Sequence, residues 1–211
     1  MASPTNFPGD LIAVGDIICG GSYRGITRAM LTQTSNAIFP VNLANFRVWD
    51  AIQTVLPGTA AADDLGLIGT TFGTVAPTIR TSDSKAASTT QRARIFIPIP
   101  AEFQAAETVS VVISAGMTTT ISDTTATVDV EAYEVLTTGA LGGSPTDLCT
   151  TAATTINSVT FADATFALTS SGLIAGDLLD VRITIAIVDG ATATAVIGTI
   201  VKVALVCDIQ G

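Results

Sequence analysis

From Phe46 to the last residue, apolar and polar positions alternate with a period of two over several separate stretches. Thr127-Val128-Asp129-Val130-Glu131-Ala132-Tyr133 places Val128, Val130 and Ala132 on one face and Asp129 and Glu131 on the other. Asp180 to Ile187 alternates again, with Val181, Ile183, Ile185 and Ile187 turned one way. In Ile200 to Asp208, Val201, Val203, Leu205 and Cys207 share a face, with Lys202 opposite. Arg94 to Ile99, the β-branched Thr108 to Ala115, and Ser158 to Leu168 complete the set, and Pro98 marks an edge or a bulge. Period-two alternation is the mark of a strand buried on one face.

Turn residues separate these runs: Pro57-Gly58, Pro100, Gly116, Gly139, Gly142-Gly143 with Pro145, Gly176-Asp177 and Asp189-Gly190. Short strands at this spacing predict an all-β antiparallel sandwich. Asp189-Gly190 reads as a hairpin turn joining two strong strands. Val48 to Leu56 is ambiguous: Trp49, Ile52, Val55 and Leu56 fit a short helix, but extended or mixed structure is the expectation.

Residues 1 to 45 lack this alternation. Pro4, Pro8, Gly9, Gly15, Gly20-Gly21, Gly25 and Pro40 punctuate them, which predicts loops and short extended pieces. The expected organisation is an irregular N-terminal arm over 1–45 and a sandwich domain over 46–211, the alternative being an N-terminal strand that pairs within its own domain. The arm is apolar (Leu11, Ile12, Val14, Ile17, Ile18, Ile26) but has little reason to fold alone, so a partner chain would complete its burial.

Composition narrows the function. Charged residues make up 13% of the 211, hydrophobic residues 48%, and mean hydropathy is +0.57. An ordinary soluble surface carries about twice that share of charge, so much of this surface is expected to be covered by neighbours. A membrane span is not expected: Ala193 to Cys207, the best candidate, contains Thr194, Gly198, Thr199 and Lys202 and alternates like a strand. No secretory leader is expected either, since Met1 to Asp10 has no basic residue. The net charge of −9 opposes nucleic-acid binding. Cys19, Cys149 and Cys207 are odd in number and far apart, and they read as buried free thiols, though a disulfide between two of them is not deducible.

Candidate chemistry is scarce. The chain has no histidine, which removes Ser-His and Cys-His nucleophiles and HExxH zinc sites. Ser84-Lys85 lies in a polar stretch where adjacent side chains diverge, and Glu131 and Glu134 face opposite sides of a strand. Asp63-Asp64 reads as turn capping, with a calcium ligand as the lesser reading. No phosphate-binding glycine motif occurs. The expectation is a protein that is not an enzyme and uses no metal or cofactor. Trp49, flanked by Arg47 and Asp50, is either an interface anchor or a core plug. Arg24, Arg28, Phe39, Arg47 and Trp49 form the candidate interface set.

Four segments together resemble head-associated structural proteins of tailed bacteriophages: Phe46 to Ala51 (FRVWDA), Ala61 to Ile68 (AADDLGLI), Ala126 to Tyr133 (ATVDVEAY) and Gly172 to Arg182 (GLIAGDLLDVR). The resemblance covers residues 46 to 211 as an order of segments, without a sharp motif. It implies a jelly-roll or related β-sandwich on the capsid exterior, often as a homotrimer, with the major capsid protein as partner. The chain would be made in the host cytoplasm and stabilise the virion by bridging capsid subunits. The competing reading is a tail or fibre module that binds a receptor or carbohydrate. Such modules usually expose aromatics, which make up only 5% here.

Overall fold

A computed structural model describes residues 34–69, 71–84, 87–119, 124–135, 146–190 and 195–210. They form ten strands: β1 Thr34–Pro40, β2 Gly66–Ile68, β3 Thr78–Arg80, β4 Ser88–Pro98, β5 Val109–Met117, β6 Thr124–Val135, β7 Thr154–Thr155, β8 Ala162–Ala167, β9 Leu178–Asp189 and β10 Gly198–Gln210. The first sheet runs β2-β3-β10-β5-β8, with β1 also paired to β10, and the second runs β4-β9-β6-β7. All pairings are antiparallel. The protein is an all-β sandwich, as the alternation predicts.

The pairing is nested. β3 pairs with β10, β4 with β9, β5 with β8 and β6 with β7. The pairs β5·β10 and β6·β9 then close each sheet. From β3 onward, every connection except β6 to β7 crosses from one sheet to the other. This corrects the hairpin expected at Asp189-Gly190: β9 ends there in the second sheet, and β10 begins in the first. An Asp-Gly turn reverses the chain, but the strand that follows is chosen by which sheet can bury it.

The two inward faces make one core. From the second sheet come Leu179, Val181, Ile183, Ile185 and Ile187 of β9, flanked by Val128 and Val130 of β6 and Ile95 and Ile97 of β4. Val111 and Ile113 of β5, Phe166 of β8, and Val203, Leu205 and Cys207 of β10 meet them from the first. β10 departs from strict alternation. A bulge between Ile200 and Lys202 leaves Ile200 and Val203 both buried and turns Val201 outward, at 39% exposed. The extra residue of a bulge shifts the side-chain parity by one, so Val201 does not share the face of Val203.

Residues 34 to 45, within the stretch read as an arm, form β1 and a single 3-10 turn (Leu43–Asn45). Phe39 lies opposite Leu205 and packs against the core. Residues 1–33 lie outside the described residues, and with them Cys19 and the candidates Arg24 and Arg28. Val48 to Leu56 forms turns between the bridged residues Arg47 and Val55, the mixed structure expected.

The outer edge of β4 is covered by this irregular chain. Arg47 exchanges both backbone bonds with Arg94 (2.8 and 3.0 Å), while Asp63 and Leu65 bond to Arg92 (2.7 and 2.9 Å). Covering an edge blocks unwanted strand addition. One buried polar side chain ties the covering loop down: Gln91, fully buried, donates to the Ala62 carbonyl at 3.0 Å and accepts the Ser82 N–H at 2.6 Å. No helix among the described residues is long and apolar enough to cross a membrane.

At Gly66 the chain runs against the backbone of Thr59 and Ala60. A Cβ there would stand 2.3 Å from the Ala60 nitrogen and 2.7 Å from the Thr59 carbonyl carbon, both backbone atoms. Gly66→Ala should therefore cost about 1–3 kcal/mol in urea unfolding, the range for overpacking. Gly58→Ala, where nothing lies within 4 Å, should be near neutral. Equal midpoints for the two variants would contradict this packing.

Candidate functional site

Antiparallel register aligns the outward side chains of the second sheet in rows. Arg94 of β4 stands opposite Arg182 of β9, which stands opposite Glu131 of β6. Arg47 adds to this row from the edge, opposite Arg94. In the next row Asp180 lies between Phe96 and Tyr133. On the other side lie Arg92, Thr184 and Asp129.

Like charges directly opposite one another across strands are destabilising, and Arg94 faces Arg182. Carboxylates offset the repulsion. Arg94 Nε donates to Asp180 Oδ1 at 2.6 Å, and a terminal nitrogen of the same guanidinium donates to Oδ2. Arg182 Nε donates to Glu131 Oε2, and a terminal nitrogen of the same guanidinium pairs with that same oxygen. Such paired bonds fix the guanidinium plane, and the bond to Asp180 raises the Arg94 pKa further. Burial and the charges of Glu131 and Asp147 push the Tyr133 hydroxyl above its usual range, and its oxygen lies 3.4 Å from Glu131 Oε1.

Trp49 is half-buried on this outer face, outside the core. Its Nε1 donates to Asp63 Oδ2 at 2.8 Å. The guanidinium of Arg92 lies 5.2 Å from its ring centroid and that of Arg182 5.5 Å, while Arg94 sits 5.6 Å over Phe96. These distances fall within the range of cation–π attraction. Together Trp49, Asp50, Arg94, Tyr133, Asp180 and Arg182 line a cleft of about 240 Å³. Among the described residues no group of three or more histidines, cysteines or carboxylates is placed to hold a metal.

Of the candidate interface residues, Trp49 lines this cleft and Arg47 is bridged to the neighbouring Arg94. Phe39 does not: it lines a separate apolar cleft with Phe96, Ile97 and Pro98, between β1 and β4. Sequence reasoning missed Arg92, Arg94, Tyr133, Asp180 and Arg182. Their outward parity was readable strand by strand, but their convergence depends on β4, β9 and β6 being neighbours in a particular register.

The outer face of the first sheet has a different character. One row reads Ile38, Val206, Ser110, Ala167 across β1, β10, β5 and β8, and the next reads Pro40, Ala204, Val112, Thr165. Neither row carries a charge, and Ile38 is 69% exposed. The following row holds an exposed ion pair, Lys202 Nζ to Asp163 Oδ2 at 2.8 Å.

Asp63-Asp64 forms a tight turn closed by the Asp64 N–H to the Ala61 carbonyl at 2.8 Å. Asp64 Oδ1 is buried without a hydrogen-bond partner among the described residues. Burial, then the charges of Asp63 and Asp50, raise its pKa, against a smaller opposing bond from the Trp49 backbone. A raised carboxylate pKa means that the fold holds the proton more tightly than the unfolded chain does, so stability falls as pH rises through that value. Asp64→Asn should therefore raise the melting temperature at pH 7, and the gain should vanish once the pH falls below the ordinary carboxylate range. Calorimetry showing the same effect at pH 3 and pH 7 would contradict this.

No known protein-family profile matches the chain, and no curated protein matches it.

Proposed function

We propose that this chain is a non-catalytic virion protein that decorates the outside of a tailed-bacteriophage capsid, docking through the outer face of its first sheet. The observation that carries the reading is the pair of uncharged rows in which Ile38 is exposed and Val206, Ser110 and Val112 are half-buried, with Ala204 buried between its neighbours. Charge is depleted at the cores of protein interfaces, and a flat neutral sheet face allows close approach of a second surface. Apolar burial there contributes about 25 cal/mol per Å², less the ordering costs of association.

The strand order supports the architecture that the resemblance implies. Nested pairs 3·10, 4·9, 5·8 and 6·7, distributed over two four-strand layers, are what a long hairpin gives when rolled into a jelly roll. Viral capsid and lectin domains share that architecture. The net charge of −9 suits an exterior position, away from packaged nucleic acid. The partners on this reading are the major capsid protein and sister subunits in a homotrimer, where closed symmetry would cover the remaining sheet edges.

Val112→Glu combined with Val206→Glu tests the docking face. The double variant should fold with a melting temperature close to that of the parent but bind capsids lacking the protein at least about tenfold more weakly, a loss of about 1.4 kcal/mol or more. Full occupancy, measured as mass per capsid, would exclude this face. Sedimentation equilibrium should give a trimer, and a monodisperse monomer at micromolar concentration would exclude that state.

A further inference from the structure

We propose that the cleft on the outer face of the second sheet is a binding site for a neutral saccharide. It is a function additional to docking and does not depend on it. Trp49 and Tyr133 are the sole tryptophan and tyrosine among the described residues, and both line this one cleft. Composition suggests a shortage of aromatics; among the described residues the fold gathers the polar-tipped ones together.

The charges select the ligand class. Arg94 and Arg182 are balanced by Asp50 and Asp180 within the lining. An anion would meet both carboxylates, with Glu131 behind Arg182 and a chain of net charge −9 around them. A cation would meet two guanidiniums. A hydroxyl can donate and accept at once, so vicinal hydroxyls can bridge a guanidinium N–H and a carboxylate lone pair. The Arg94–Asp180 pair presents both groups side by side. Tyr133 supplies an amphipathic wall for a sugar ring, and Trp49, its ring flanked by the guanidiniums of Arg92 and Arg182, closes the cleft beside it.

The donors are already in place. Arg94 is held by Asp180 below and stacked over Phe96, and Arg182 is held by Glu131 and stacked against Trp49. Side chains fixed before binding lose little freedom when a ligand arrives. Folding alone has no need for Arg94 opposite Arg182, since opposed like charges weaken a sheet. At about 240 Å³ the cleft suits one sugar ring at the end or side of a longer glycan.

Trp49 is the only tryptophan in the chain, so its fluorescence reports directly on the cleft. The full-length protein is titrated with soluble mannan, galactomannan and β-glucan, and with heparin, polysialic acid and inorganic phosphate. A saturable change with at least one neutral polysaccharide is expected. That binding should weaken at least about tenfold, or 1.4 kcal/mol, in Asp180→Asn and in Tyr133→Ala, but not in the Val112→Glu and Val206→Glu double variant. Should Asp180→Asn fail to fold, Tyr133→Ala and Asp50→Ala decide the matter. No response to any neutral polysaccharide, a response to the polyanions alone, or undiminished binding in the cleft variants would each overturn the proposal. Loss of capsid docking with saccharide binding intact would leave it standing.

Discussion

Nested antiparallel pairing between the two halves of the chain is the constraint on which the structure depends. β3 waits for β10 and β4 for β9, so the outermost of these nested pairs joins Ile79 and Arg80 to Ile200 and Thr199. Each pair closes a loop whose entropic cost grows only slowly with length, while the apolar face it creates is buried only when the opposing sheet is present. No strand pair is stable alone; the inward rows of β9 and β10 need each other. The crossings between sheets follow from this. Crossing at most connections feeds the two layers in step; from β3 onward only β6 and β7 follow one another within a sheet.

With the inward faces committed to the core, the outward faces are free to differ, and they do. Of the basic residues described, Arg47, Arg92, Arg94 and Arg182 belong to the outer side of the second sheet, leaving Arg80 and Lys202 elsewhere. The central rows of the first sheet's outer side carry none. In a chain with so few charges, concentrating cations on one face leaves the central rows of the other uncharged. The same placement explains the loop over residues 46 to 65. It shields the edge of β4 through backbone bonds, and it delivers Trp49 and Asp63 to the arginine cluster. Edge protection and site construction are one piece of chain.

Much of this was legible in the sequence, and the part that was not has a definite physical character. Period two identified β6, β9 and β10, because a half-buried strand cannot avoid it, while apolar and β-branched runs between turn residues marked β4, β5 and β8. It placed Asp129 and Glu131 outward correctly. It failed at Val201, where a bulge resets the parity, and at Asp189-Gly190, where a strong turn signal says nothing about which sheet comes next. The arginine-aromatic cluster was invisible for a related reason. Its members lie on three strands and a loop, separated by up to 133 positions between Trp49 and Arg182, and only the strand order brings them into rows. Local pattern fixes which way a side chain faces; long-range pairing fixes what it faces.

The two outer faces lie on opposite sides of the sandwich, and this geometry links the two proposals. A subunit seated on a shell through its neutral sheet turns the charged sheet, with Trp49 and its cleft, toward solvent. The reverse orientation is disfavoured on electrostatic grounds. Burying Arg94, Arg182, Asp180 and Glu131 against another protein would remove water from two ion pairs whose side chains are now 19 to 33% exposed. Attraction within such pairs often fails to repay that desolvation. Burying Val112, Val206 and Ile38 carries no such penalty. On the two proposals, the division of labour between the faces would follow from the cost of drying each one.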